Sequence, residues 1–321
     1  MWQPMYLCAY VVQNLRTFIV LILTAHLTSC GSNNTLKEVI QLNHYPSASG
    51  IEYFNNQYYV IGDDANRLLI LDSNFSPVDS ISLYSFIEKR IPKNVKADLE
   101  AITITKDKKL LVAGSGSLSP YRNVAWLIDP VTKQKNIIQL DSFYQRLVPY
   151  GIKEINIEGI CAIPGSILLT SRGSKGYPKN HLIVTTANFW ENQATAPVSL
   201  ILTGFGNDTT LFSGISGIAY ARKSDRLILT VSTEDTRNSM DDGAIGKSYL
   251  WIIENISSKK RWKAINPDQV ISLEDIDPKF KSQKIESVCV IKETKNFLHL
   301  VLAADNDNGS STLFKLIAEK K

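Results

Sequence analysis

Histidine is scarce, with four in 321 residues, and the four cysteines form no C-x-x-C pair. G-x-S-x-G, H-E-x-x-H and the phosphate-cradling P-loop are absent too, so the serine-hydrolase, zinc-protease and nucleotide-hydrolase chemistries lack their residues. His181 and His299 fall in strand-like runs, which argues against a histidine-dependent triad. Any catalysis then falls to carboxylates assisted by a metal ion. A basic stripe is missing as well: the net charge of +4 is spread thinly along the chain, so no nucleic-acid partner is expected. What is present, 44% hydrophobic and 21% charged residues, is ample for a folded core.

Residues 1 to 30 contain no Asp or Glu and one basic residue, Arg16. The apolar run Thr17 to Leu27 is too short for a bilayer span and suits the centre of a signal peptide. It leads into Leu27-Thr28-Ser29-Cys30-Gly31, which resembles a bacterial lipobox, where the cysteine is lipidated and becomes the mature N-terminus. The expected organisation is a lipoprotein signal peptide over 1–29, lipidated Cys30 with its tether over 30–34, and a single domain over 35–321. No acidic run and no Asp follows Cys30. The expected location is therefore the outer membrane, lipid-anchored and facing the periplasm, with the domain a monomer. Cleavage would remove Arg16 and no acid, taking the net charge from +4 to +3. Of the cysteines, Cys161 and Cys289 lie at matching places in apolar runs, which favours buried thiols over a disulfide.

Ser49 to Leu71 sets the pattern for the rest. Apolar, β-branched and aromatic runs separated by Asn55-Asn56 and Asp63-Asp64 predict three antiparallel strands. The opening Ser49-Gly50-Ile51 returns as Glu100-Ala101-Ile102, Glu158-Gly159-Ile160, Ser216-Gly217-Ile218 and Glu286-Ser287-Val288, at spacings of 51, 58, 58 and 70 residues. A strand-rich period near fifty is the mark of a β-propeller. Second, third and fourth runs follow each opening, except that the fifth repeat has no fourth run. Leu36 to Leu42 resembles the fourth runs and supplies it. The expected fold is all-β: a five-bladed β-propeller of four-stranded blades, closed by an N-terminal strand that completes the last blade. The alternative of six blades requires a repeat hidden in the 70-residue interval.

In a blade the innermost strand starts on the face where the second strand ends. Ser49, Glu100, Glu158, Ser216 and Glu286 should therefore converge on one rim with Asp63, Asp64, Ser115, Ser117, Arg172, Glu234, Asp235, Asp305 and Asp307. Glu100, Glu158 and Glu286 are the candidate metal ligands, since hard oxygens suit Ca²⁺ or Mg²⁺. Equally, a recurrent polar residue at a strand start can serve only to bond the neighbouring blade. Arg172, Asp64, Glu234 and Asp235 are the candidate ligand-binding residues, Arg172 because its fork matches phosphate or carboxylate. Arg172 could instead simply neutralise the acidic rim. Arg122, Arg237 and Lys247 read as ordinary solvated charges. Asp305-Asn306-Asp307-Asn308-Gly309 and Asp241-Asp242-Gly243 read as turns rather than calcium loops. The long loop Glu234 to Ser248 could act as a lid.

The repeated S/E-G-I openings, the pairing of Asp98-Leu99-Glu100-Ala101-Ile102 with Asn156-Ile157-Glu158-Gly159-Ile160, and the strand end Ile61-Gly62-Asp63-Asp64 resemble the phytase-like propeller lipoproteins. These are the proteins described as "esterase-like activity of phytase", with related Bacteroidetes propellers. The resemblance implies a secreted, Ca²⁺-dependent phosphoester hydrolase. A dense Lys/Arg cluster for a polyphosphorylated substrate is missing. Three functions stay open: a metal-dependent propeller binding a small anionic or phosphorylated ligand, a non-catalytic envelope scaffold, and a glycan-active enzyme with two carboxylates about 5 to 10 Å apart.

Overall fold

The computed structural model describes residues 33–88, 90–204, 212–234, 245–305 and 309–321, with the side chains of Glu234 and Ile245 excepted. The expected signal peptide and Cys30 lie outside the described residues, as do Asp235, Arg237, Asp241, Asp242, Gly243, Asn306, Asp307, Asn308 and the Glu234 carboxylate.

Strand β1 (Thr35–Leu42) comes first, and four blades then follow in sequence order. They are β2 (Ala48–Phe54) to β5 (Pro77–Ser82) through β3 (Gln57–Gly62) and β4 (Arg67–Leu71), and β6 (Leu99–Ile104) to β9 (Lys135–Gln139) through β7 (Leu110–Gly114) and β8 (Val124–Ile128). Next come β10 (Ile157–Ile163) to β13 (Ser199–Thr203) through β11 (Ser166–Ser171) and β12 (Asn180–Thr186). The fourth blade is β14 (Ser213–Ala221), β15 (Arg226–Glu234), β16 (Ile245–Ile253) and β18 (Gln269–Ser272), with the two-residue β17 (Ala264–Ile265) before its last strand. The fifth blade is β19 (Lys284–Glu293), β20 (Phe297–Asp305), β21 (Ser311–Glu319) and, outermost, β1. Each inner strand contacts the next, and β19 returns to β2, so five blades close a ring.

The seam is closed as the sequence implies. β1 pairs antiparallel with β21 from Thr35 opposite Ile317 to Leu42 opposite Ser311, so the edge of β21 is covered. The 70-residue interval holds no sixth blade. Its slack lies partly in the excursion after β16, which forms α2 (Ile256–Lys259) and then lays β17 parallel against β13 of the preceding blade.

Alternating strand faces leave apolar residues on both sides of each blade, and these meet in five hydrophobic clusters, one at each blade–blade boundary. Between the first two blades, for example, Ile61 and Leu68 pack with Leu99, Ile102 and Trp126. The outer strands β5 and β9 are mostly exposed. Cys161 and Cys289 are buried free thiols in the inner strands β10 and β19.

The S/E-small-β-branched opening has one structural meaning in all five blades. The pairing of inner with second strand slips at Ser49, Glu100, Glu158, Ser216 and Glu286, each an extra residue in a β-bulge. A bulge re-aims the side chain of the inserted residue. The following residue must be small: a Cβ on Gly217 would lie 2.6 Å from the Glu286 carbonyl oxygen of the next blade, and one on Gly159 2.8 Å from Ile218.

Helix α1 (Asp141–Tyr150) was not expected from the strand repeat. It fills the step from second to third blade, burying Phe143, Tyr144 and Leu147 between them, with the Tyr144 hydroxyl donating to the Gly114 carbonyl at 2.9 Å. Asp141 in its first turn and left-handed Gly151 after its last (φ 117°) are ordinary start and stop signals.

Candidate functional site: the upper mouth of the channel

The five bulged residues ring the channel at the face where the inner strands begin, here called the upper mouth. The two serines are spent on structure. Ser216 donates to the Ile285 carbonyl at 2.6 Å, and Ser49 donates in the same way to the Leu99 carbonyl. Each hydroxyl thus holds the backbone of a following blade one residue before its own bulge.

The glutamates differ among themselves. Glu158 accepts from the Asn156 amide at 2.5 Å and lies 3.8 Å from the Arg172 guanidinium. Glu286 is paired with Lys284 at 2.8 Å. Glu100 makes no hydrogen bond or ion pair among the described residues, yet its carboxylate lies with those of Asp63 and Asp98, one oxygen of each within 4.8 Å of the others. Of the three expected metal ligands, therefore, only Glu100 belongs to the group whose oxygens can meet around one ion.

Asp63 arrives from the end of β3, and Asp98 precedes β6 with left-handed backbone (φ 55°), a conformation Asp adopts more readily than most residues. The link between first and second blades folds over the rim and delivers two cations absent from the sequence-based list, Arg90 and Lys96. The Lys96 ammonium binds Asp63 and lies 2.9 Å from Asp98, and the Arg90 guanidinium lies 2.5 Å from Asp64. Arg122 is not the solvated charge expected: it is 2% exposed and donates to Asp98 at 2.6 Å, to the Ser117 hydroxyl at 2.7 Å and to the Lys93 carbonyl at 3.2 Å. Ser115 donates to the same Asp98 oxygen at 2.6 Å. Arg172 spans blades, reaching the Ser232 hydroxyl at 3.4 Å and passing so near Gly214 that a Cβ there would lie 2.3 Å from its Nε.

Burial and then repulsion from Glu158, Asp98, Asp63 and Glu286 push the Glu100 carboxyl well above the usual carboxylate range. Asp63 is raised to about 6, chiefly by burial, against the pull of Lys96. Asp98 is also buried, but Lys96 and Arg122 outweigh that and hold it below its ordinary value. Burial lowers the Lys96 pKa less than Asp63 and Asp98 raise it, so its ammonium stays charged. Within one triad, then, Asp98 is a fixed anion while Asp63 and Glu100 readily hold protons. Such a group can accept a cation by giving up protons, or deliver a proton to something bound above it.

The composition of Lys96 and Arg122 as ordinary basic residues carried no signal for these roles. Only the folding of their loops over the rim puts them beside Asp98.

The model of a family of unknown function (DUF6929) matches residues 44–317, nearly the whole propeller. The chain belongs to this DUF6929 family. No curated protein matches it in sequence. Among solved structures, the glutaminyl cyclase of Myxococcus xanthus is similar at a TM-score of 0.55 and 8% identity, covering 90% of this chain and 97% of that one. Virginiamycin B lyase from Staphylococcus aureus aligns over 88% of this chain and 99% of that one, at a TM-score of 0.40 and 10% identity. At these identities the likeness to the cyclase concerns the propeller fold alone.

Proposed function

We propose that this DUF6929 propeller is a lipoprotein of the cell envelope, anchored through Cys30, whose upper mouth binds a divalent cation and, through it, the phosphate or carboxylate of a small ligand. The observation that carries the reading is the triad Asp63, Asp98 and Glu100, with Glu100 left without a partner of its own among the described residues. Three hard oxygen donors suit Ca²⁺ or Mg²⁺. The Lys96 ammonium bridges two of the three and is the ion's competitor: it holds the carboxylates together when no ion is present. Arg90 and Arg172 stand on the rim, where an anion carried by the cation would meet them. A bound cation would polarise a phosphoester, the chemistry implied by the phytase-like resemblance.

The test is thermal unfolding of the full chain in EDTA and then in millimolar Ca²⁺ or Mg²⁺, beside Asp63→Asn/Glu100→Gln and, as control, Ser216→Ala. A rise of several degrees that the double variant loses and the control keeps is expected. No rise in the parent protein overturns the cation reading.

One observation favours a second reading. The Ser49, Ser216 and Arg172 side chains all tie a blade to its neighbour. In a non-catalytic scaffold the whole ring would be such glue, and the same experiment would show no cation response in any form of the protein.

A further inference from the structure

The opposite end of the channel holds a cavity of about 650 Å³ that the triad does not reach. All five inner strands line it with their later halves, from Glu52 in β2 to Val290 in β19. Its wall is about evenly polar and apolar, with Ile163, Ile218 and Val288 among the apolar lining residues, and it contains one acid, Glu52. That carboxylate is held in place: one oxygen accepts from the Tyr53 amide at 2.9 Å, and the other from the Ile104 amide of the next blade at 3.3 Å. At the mouth stand three cations from two turns, Lys106 and Lys108 between β6 and β7 and Arg222 between β14 and β15. All three side chains are exposed, and none makes a salt bridge among the described residues.

We propose that this lower mouth is a second binding site, for a small molecule that carries a phosphate or carboxylate at one end and a hydroxyl or amine at the other. The anion sits among Lys106, Lys108 and Arg222, and the donor reaches inward to Glu52. The order of charges requires it: an anionic group is attracted to the rim and repelled by the floor, so a simple anion fills only half of the site. A ligand with a donor at its far end satisfies both. A concave cavity into which a few polar groups converge is the form of a small-molecule site, and the volume falls in the usual range for one. Burial pushes the Glu52 carboxyl up to about 7, against the pull of the Tyr53 and Ile104 amides and the Thr103 hydroxyl. Such a group is costly to a merely structural cavity and useful in one that receives a donor. Nothing in this site depends on the cation reading of the upper mouth.

The test is calorimetric titration of the full chain with glycerol 3-phosphate, with inorganic phosphate as the anion alone and glycerol as the donor alone. Glycerol 3-phosphate is expected to bind saturably and about tenfold tighter than phosphate. Lys106→Ala/Lys108→Ala/Arg222→Ala, all exposed positions, should weaken both phosphate compounds at least about tenfold and flatten their salt dependence. Glu52→Gln should weaken glycerol 3-phosphate without weakening phosphate, and Asp63→Asn/Glu100→Gln should alter neither. Absence of saturable binding by glycerol 3-phosphate overturns the proposal. So does binding that survives the triple variant, or that is lost in the upper-mouth variant instead.

Discussion

The hydroxyl of Ser216 donates a 2.6 Å hydrogen bond to the carbonyl of Ile285, joining the fourth blade to the fifth immediately before the Glu286 bulge. Both groups are buried, so neither can turn to water when the bond is removed. Ser216→Ala should lower stability by about 1–3 kcal/mol, the cost of an unmet buried carbonyl. Urea unfolding with an unchanged m-value checks it. A loss below a few tenths would show that the carbonyl finds another donor.

Gly217 follows that serine, and a methyl group there would meet the backbone of the next blade, the Glu286 carbonyl oxygen at 2.6 Å and the Ser287 Cα at 2.8 Å, as well as the Thr230 hydroxyl at 2.7 Å. Gly217→Ala should therefore cost about 2–3 kcal/mol, by forcing two inner strands apart. The exposed Gly165, with nothing within 4 Å of a built Cβ but a φ of 73°, offers a contrast. Gly165→Ala should cost only the roughly 1 kcal/mol of left-handed backbone.

Lys96 bridges two carboxylates in a site where its own side chain is 9% exposed. Lys96→Met strips Asp63 and Asp98 of that ammonium and should destabilise the protein by about 3–5 kcal/mol in EDTA. If the triad takes a cation, millimolar Ca²⁺ should restore most of the loss, because the ion no longer has a competitor. Parallel melting curves with and without Ca²⁺ read both effects.

For Glu52 the sign of the pH effect follows from a folded-state pKa of about 7 against an ordinary 4.5. The folded protein holds this proton more tightly than the unfolded chain, so the stability gained is present below pH 4.5 and is lost as pH rises to about 7. Glu52→Gln should match the parent near pH 4.5 and exceed it at pH 8, by up to about 3 kcal/mol. Chemical denaturation at the two pH values decides this, and an equal difference at both would mean the carboxyl titrates normally.

The ring closes through one antiparallel pairing of chain ends, β1 on β21. Deleting residues 33–42 should expose the β21 edge, lower the melting temperature by about ten degrees or more, and produce concentration-dependent association. Calorimetry with size-exclusion chromatography at two concentrations distinguishes an opened ring from a stable remnant whose fifth blade keeps three strands.

Much of this architecture was legible in advance. The strand runs, the five openings and the closing strand Leu36 to Leu42 follow from alternation and period, because every blade must bury two faces in the same way. Helix α1 was hidden by the repeat: Phe143, Tyr144 and Leu147 carry helical spacing, but ten residues between two strand repeats read as a linker. Glu100, Glu158 and Glu286 look equivalent as a sequence pattern. Their partners are not equivalent, because Arg172 reaches Glu158, Lys284 reaches Glu286, and Glu100 is left to Asp63 and Asp98.

By itself, then, the sequence determined the all-β propeller, its five blades and the recurrent positions at the starts of the inner strands, since local periodicity and small residues at a crowded axis leave few other arrangements. The tertiary structure alone decided the charges around them. Lys96, Arg90 and Arg122 arrive by loops whose paths depend on packing across the rim, and the lower cavity exists only where five separate strands end around one axis. Side chains remote in the chain share a field only after folding, which is why neither mouth of the channel could be read from any one stretch of residues.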